Sequence, residues 1–182
     1  LKKLTATDLG VVAAEAAIES SGVTRDDIDH VYFGNVLQTA KDAIYLARHV
    51  GLKSGIPQAV PAVTLNRLCG SGFEAITAGA REIIAGDAEV ILVGGAESMS
   101  QAPHVIRGGR DGFAFGRSPE VEDTLWSCLT DTYTGMPMAI TAENLSERYT
   151  ISREACDAYA LASQQRWQNG HAAGAFQAEM AP

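Results

Sequence analysis

The sequence predicts a layered α/β fold, and three features of its 182 residues point that way. Short apolar runs of strand character alternate with segments whose apolar residues recur at helical spacing, the pattern that lays helices over a sheet. Glycines and prolines fall where one element gives way to the next. A single stretch, residues 63–85 (VTLNRLCGSGFEAITAGAREIIA), changes from strand-like to helical period at one cysteine, Cys69. A chain of this length buries about 70% of its unfolded surface, enough for one good core with an appended lobe.

Taken in order, Thr7 or Asp8 caps a first helix whose apolar face is Leu9, Val12, Ala13, Ala16 and Ala17, with Gly22 as its stop. Residues 31–37, VYFGNVL, read as a buried strand. Residues 42–50 read as a short helix with Ile44, Ala47 and Val50 facing inward, and Pro57 and Pro61 then break the chain. Val63, Leu65 and Leu68 belong to a short buried strand, after which Phe73, Ile76, Ala80, Ile83 and Ile84 form one helical face with Glu74, Thr77, Arg81 and Glu82 opposite. Gly86 ends that helix and residues 90–93 form another strand. Residues 98–134 carry Gly108, Gly109, Gly112, Gly116 and Pro119 and show little period, the mark of a long functional loop. Two helices close the chain, 138–149 and 152–169, the second capped by Ser152 and stopped by Gly170. Trp126, Tyr159 and Trp167 read as core aromatics.

Composition excludes several classes. A formal net charge of −8 argues against nucleic acid as a partner, since phosphate binding needs a basic face. No apolar run reaches the length of a membrane span. Gly94 and Gly95 follow a strand, yet the GxGxxG spacing and the Lys-Ser/Thr of a P-loop are absent, so they read as tight-turn glycines and no bound cofactor is expected. Cys69, Cys128 and Cys156 are odd in number and far apart, which fits reduced thiols; without a CxxC pair no metal site is expected. With no initiator methionine and no leader pattern, the N-terminus indicates no compartment.

Cys69 is the residue with chemistry to offer. At the start of a helix a thiol meets backbone N–H groups that lack intrahelical acceptors and the positive end of the dipole, both of which favour thiolate. Gly70 and Gly72 suit a sharp strand-to-helix turn that needs positive φ or close backbone approach. From the residues alone two readings stand: an activated nucleophile, or a buried cysteine that packs as a small hydrophobe.

Three motifs bear on that choice: NRLCGSG at 66–72, VGGAESMSQAPH at 93–104 and MAITAENL at 138–145 resemble, in order, motifs of the thiolases. The segments NVLQ, DAIYLARHVGL and ISREACDAYALASQQRW are most similar to the mitochondrial-type branch that cleaves 3-ketoacyl-CoA. The resemblance covers the whole chain. It implies a layered α/β/α thiolase domain over residues 1–98, incomplete because its first strand is missing. Residues 99–182 are then the start of an inserted loop domain, and a C-terminal thiolase domain lies outside the chain. It implies an acyltransferase of fatty-acid β-oxidation that cleaves 3-ketoacyl-CoA with coenzyme A, or runs the reverse Claisen condensation, with Cys69 carrying the acyl group as a thioester. The backbone N–H of Cys69 becomes an oxyanion donor, Leu129 and Met138 line the acyl-pantetheine channel, and coenzyme A is a co-substrate. Pro137 stands where some acetoacetyl-CoA thiolases carry a histidine. The family's remaining acid/base groups lie in the missing half, so the fragment alone is expected to be inactive. His30, His49, His104 and His171 do not fill that vacancy, and Cys128 and Cys156 match no catalytic position.

The family resemblance further implies a homo-oligomer, a dimer paired into a tetramer through residues 105–125. It leaves Arg107, Arg110 and Arg117 either solvated or attracting coenzyme A phosphates. It places the protein in the mitochondrial matrix of a eukaryote or the cytoplasm of a bacterium. Competing readings are an acetoacetyl-CoA thiolase or related condensing enzyme, and a catalytically silent lipid-binding scaffold that keeps Cys69 for packing.

Overall fold

The computed structural model describes residues 1–181, which fall into two compact units, Leu1–Leu125 and the remainder from Trp126. In the first unit, α1 (Ala6–Ser21) precedes β1 (His30–Gly34), α2 (Leu46–Lys53), β2 (Ala62–Leu65), α3 (Ser71–Ala85) and β3 (Ile91–Gly95). The three strands are parallel in the order β2-β1-β3, with Val31 opposite Ala62 on one side and Leu92 on the other. Helices cover both faces, so the expected α/β/α layering is present.

Alternation along β1 divides the two faces. Val31 and Phe33 point to α1 and α2, where they join Ala14, Ile18, Leu46, Ala47, Val50, Ile56 and Leu92 in the hydrophobic core. α1 begins at Thr5 rather than at Thr7 or Asp8. The Thr5 hydroxyl accepts the Asp8 N–H while the Asp8 carboxylate accepts the Thr5 N–H, both at 3.1 Å, a reciprocal capping box. Its buried stripe is Ala6, Thr7, Gly10, Ala14 and Ile18, whereas Val12, Ala13 and Ala17 of the expected apolar face are exposed. Close approach decides this: a Cβ on Gly10 would fall 2.8 Å from Cγ2 of Val50, so the small residues meet α2. A 3-10 turn, Ala43–Tyr45, leads into α2 and leaves Ile44 exposed, contrary to the inward position its spacing suggests. Thr64 of β2 caps α2 by accepting the Ala47 N–H at 2.9 Å. β2 lies at an edge of the sheet and its Val63 is exposed instead of buried; Leu68 falls beyond the strand, in the turn into the next helix, and is exposed as well.

α3 covers the face carrying His30, Tyr32 and Gly34, and it does so with small residues. Ser71, Ala75 and Gly79 are buried, and a Cβ on Gly79 would come within 2.9 Å of Cγ1 of Val93. Phe73, Ile76, Ala80, Ile83 and Ile84 do share one face, as their period requires, but that face is turned to solvent; Phe73 is 76% and Ile84 84% exposed. Beyond β3 the low-period segment holds a small antiparallel pair, β4 (His104–Ile106) with β5 (Val121–Asp123).

A five-residue helix, α4 (Thr124–Cys128), crosses the division between the units. The second unit continues with a two-residue hairpin, β6 (Thr130–Asp131) with β7 (Met136–Pro137), then α5 (Met138–Tyr149) and α6 (Arg153–Ala172). Ser152 caps α6 by accepting the Ala155 N–H at 3.2 Å, as expected. Gly170 lies inside α6 rather than ending it; the chain reverses at Gly174, whose φ is 70°. No described residue from Trp126 onward is buried, so Trp126, Tyr159 and Trp167 are exposed where core positions were expected. Two helices and a short hairpin have too little mass to enclose such large rings.

Candidate active site

Parallel strands bring their C-terminal ends to one edge, and Cys69 lies just past the end of β2 on that edge. The turn into α3 is made by Leu68, whose φ of 49° places it in the left-handed region. A leucine there costs roughly 1–2 kcal/mol, which the surroundings must offset. They do so with bonds to both of its backbone groups. The Leu68 N–H donates to Oδ1 of Asn66 at 2.9 Å, and the Leu68 carbonyl accepts the Ser71 hydroxyl at 2.6 Å and the Ser71 N–H at 3.0 Å. The Ser71 hydroxyl also accepts the Arg67 N–H at 2.9 Å, closing the loop.

The expected glycine roles are thereby redistributed. Gly70 is the residue before the helix with φ −89°, and Gly72 lies within α3 with nothing inside 4 Å of a virtual Cβ. Positive φ falls on Leu68, and close approach falls on Gly34 of β1, where a Cβ would lie 2.6 Å from the Ser71 carbonyl carbon. That contact presses the first turn of α3 onto the sheet.

Among the described residues Cys69 is exposed and forms no disulfide. Cys128 and Cys156 are also exposed and unpaired, so it is the setting that singles out Cys69. The first full helical bond of α3 runs from the Glu74 N–H to the Gly70 carbonyl at 2.9 Å. The N–H groups of Cys69, Gly72 and Phe73 have no acceptor among the described residues, leaving donors beside the thiol for a developing negative charge.

A second polar cluster shares this edge, and sequence reading missed it. Glu97, just beyond β3, accepts the Val36 N–H at 2.9 Å, the Leu37 N–H at 3.1 Å and the Asn35 amide at 2.8 Å; the Asn35 amide also donates to the Ala96 carbonyl at 2.9 Å. Asn66 reaches back to the Val36 carbonyl at 3.4 Å. A cavity of about 150 Å³ lies between Asn35, Thr64 and Asn66, too small to enclose a thioester arm. The only advance signal was Glu97 inside the motif at 93–104; its partners are some 60 residues away in sequence.

None of the four histidines is engaged with Cys69. His30 sits at the N-terminal end of β1, away from the edge that carries Cys69, where Nδ1 meets Glu82 at 2.9 Å and the ring packs on Tyr32. The Tyr32 hydroxyl donates to the same carboxylate at 2.7 Å. Burial foremost, then the Glu82 hydrogen bond and charge, push the Tyr32 phenol up to about 12. His49 stacks on Tyr45, His171 stacks on Trp167, and His104 is exposed on β4. Arg107 is held by Glu122 through two hydrogen bonds, the longer 2.7 Å, so it is not an idle phosphate ligand.

Cys69 belongs to the first unit, Leu129 and Met138 to the second. The latter two are brought together: the Met138 N–H donates to the Leu129 carbonyl at 2.9 Å, extending the ladder that pairs Thr130 with Pro137. Both side chains are exposed, an apolar pair without cover of its own.

Comparison with known proteins gives these features a setting. The family model described as "Thiolase, N-terminal domain" matches residues 1–182. Mitochondrial 3-ketoacyl-CoA thiolases of Bos taurus and Homo sapiens are each 56% identical over 182 residues, and an acetyl-CoA acetyltransferase of Cupriavidus necator is 43% identical. All of this chain is covered in each case but only 46% of the relative, so the chain spans about half the length of the curated relatives it matches. Among solved structures, human mitochondrial 3-ketoacyl-CoA thiolase in complex with CoA superposes with a TM-score of 0.98 at 55% identity, covering 100% of this chain and 46% of that one. The Bacillus anthracis acetyl-CoA acetyltransferase gives 0.94 at 35% identity, with the same coverage of both chains.

Proposed function

The chain belongs to the thiolase family, and from that premise we propose that the protein containing it is an acyltransferase that cleaves 3-ketoacyl-CoA with coenzyme A. The observation that carries this reading is Cys69: exposed, unpaired and set at a strained strand-to-helix turn beside backbone N–H groups without acceptors.

The chemistry follows from that placement. The Cys69 thiolate attacks the C3 ketone carbon, and the resulting oxyanion is met by backbone N–H groups, that of Cys69 among them. Collapse breaks the C2–C3 bond, leaves the shortened acyl group on Cys69 as a thioester, and releases the enolate of acetyl-CoA, which takes a proton at C2. The thiolate of coenzyme A then attacks the thioester, frees the shortened acyl-CoA and restores Cys69. The groups that deprotonate the two thiols and protonate the enolate are assigned to sequence outside this chain. Leu129 and Met138 supply apolar contact to the acyl-pantetheine arm. No tightly bound cofactor is needed.

Residues 1–98 are assigned to the N-terminal thiolase domain and 99–182 to the start of an inserted loop domain, with a C-terminal domain completing the protein. The exposed apolar face of α3 supports this assignment. Full burial of each large residue there is worth roughly 1.5–3 kcal/mol, and the missing half is the surface we assign to cover it. Pro137, where some acetoacetyl-CoA thiolases carry a histidine, favours a degradative role in fatty-acid β-oxidation. That role belongs to the mitochondrial matrix in a eukaryote and the cytoplasm in a bacterium. Ile106, Phe113 and Phe115 are exposed around the β4–β5 pair, consistent with residues 105–125 joining dimers into a tetramer.

The test compares thiolysis of a 3-ketoacyl-CoA by the intact protein, by its Cys69→Ser variant and by residues 1–182 alone. Turnover by the intact protein only is expected. Turnover at the intact rate by the serine variant, or by the fragment, overturns the reading.

A further inference from the structure

We propose that Asn66 and Ser71 are positioning residues for Cys69: they hold Leu68 in its left-handed conformation, and that conformation sets where the thiol points. The inference rests on the reading of Cys69 as the nucleophile and adds what keeps it aimed.

Leu68 is 64% exposed, so its side chain gains little from packing that would offset the strain of its backbone. What holds it is the pair of side chains that flank it. Asn66 takes its N–H from one side and Ser71 gives its hydroxyl to its carbonyl from the other. Leucine is a poor choice for this region of φ, where glycine or asparagine sits easily, so the conformation depends on those bonds rather than on the residue itself.

Both partners are fixed in turn. Ser71 is buried and its backbone lies against Gly34 of β1. The Asn66 amide reaches the Val36 carbonyl, in the loop whose Val36 and Leu37 N–H groups are held by the Glu97 carboxylate. The turn before Cys69 is thus tied to the ends of β1 and β3 as well as to its own helix. Release of the Asn66 bond lets φ of Leu68 return to the negative range, which displaces the next Cα and with it the thiol. A misplacement near 1 Å at a reacting atom costs about 100-fold in rate.

The experiment measures, in the intact enzyme, the single-turnover rate at which a 3-ketoacyl-CoA acylates Cys69, with the melting temperature and the KM for coenzyme A recorded beside it. Asn66→Ala is expected to slow acylation about tenfold or more while KM for coenzyme A stays within about twofold. Asn66→Asp keeps the oxygen that accepts the Leu68 N–H but loses the amide bond to Val36, and is expected to recover most of the rate lost in Asn66→Ala. In a Leu68→Gly background the Asn66→Ala penalty is expected to shrink below about threefold, because glycine takes positive φ without a clamp. Wild-type acylation by Asn66→Ala, an aspartate no better than alanine, or an undiminished penalty beside Gly at 68 each overturns the proposal. A Cys69→Ser variant that turns over normally defeats the nucleophile reading beneath it, whatever Asn66 does.

Discussion

Gly34→Ala should both destabilise the protein and misplace Cys69. The added Cβ would lie 2.6 Å from the Ser71 carbonyl carbon, 2.7 Å from its oxygen and 2.8 Å from its Cβ. Two of those atoms are backbone of the first residue of α3, so no side-chain rotation relieves the clash; the helix start must lift off β1. Overpacking of this kind costs about 1–3 kcal/mol. The lower entropy of alanine in the unfolded chain returns about 0.4–1 kcal/mol, leaving a net loss of about 0–2.6 kcal/mol, about 1.3 at the middle of both ranges. Gly72→Ala is the matched control in the same helix: among the described residues nothing lies within 4 Å of its Cβ, so it should cost less than Gly34→Ala. The assay is the thermal midpoint of the intact protein at fixed concentration, paired with the rate of Cys69 alkylation by iodoacetamide in the folded state. Gly34→Ala should lower the midpoint by several degrees and change the labelling rate. If Gly34→Ala melts and labels like wild type, or Gly72→Ala loses as much as Gly34→Ala, the close contact does not set the turn.

Three further outcomes follow from other parts of the fold. Thr5→Ala removes the capping box of α1 and should cost about 1 kcal/mol, read as a lower thermal midpoint that Thr5→Ser largely restores. Tyr32 has its pKa raised from 10.0 to about 12, so the folded state favours the neutral phenol; this contribution is present below pH 10 and is lost as pH rises through 12. Phenolate absorbance should show the highest of the tyrosine ionisations missing in Tyr32→Phe, and an unchanged titration curve would refute the assignment. Deleting residues 106–116 from the intact enzyme should yield an active dimer by light scattering, because two phenylalanines worth roughly 3–6 kcal/mol on burial leave the proposed tetramer contact. A persisting tetramer removes that role from the loop.

Much of the fold was legible because helix ends carry local chemistry. Gly22 and Gly86 do adopt positive φ at the ends of α1 and α3, and Ser152 does cap α6. What period cannot tell is which face of a helix meets the sheet. On α3 the apolar face was read correctly as a face, yet size decided the packing, and Ser71, Ala75 and Gly79 won because the strands come too close for isoleucine. The positive φ before Cys69, which the sequence suggests at a glycine, lies on Leu68. Its signal was the flanking Asn66 and Ser71, residues that turn the chain through their own side chains. The Glu97 cluster and the His30–Glu82 pair join residues more than 50 positions apart, beyond any local pattern. The β4–β5 pair has strands of three residues with a long connection, too short for alternation to register.

The central claim is that Cys69 carries the acyl group. Intact enzyme mixed with a 3-ketoacyl-CoA in the absence of free coenzyme A, quenched in acid and mapped by peptide mass, tests it directly. The account predicts the mass of the shortened acyl chain on the peptide holding Cys69, its disappearance when coenzyme A is added, and no adduct in Cys69→Ser. An acyl group on Cys128 or Cys156 instead, or thiolysis that continues in Cys69→Ser, would contradict it.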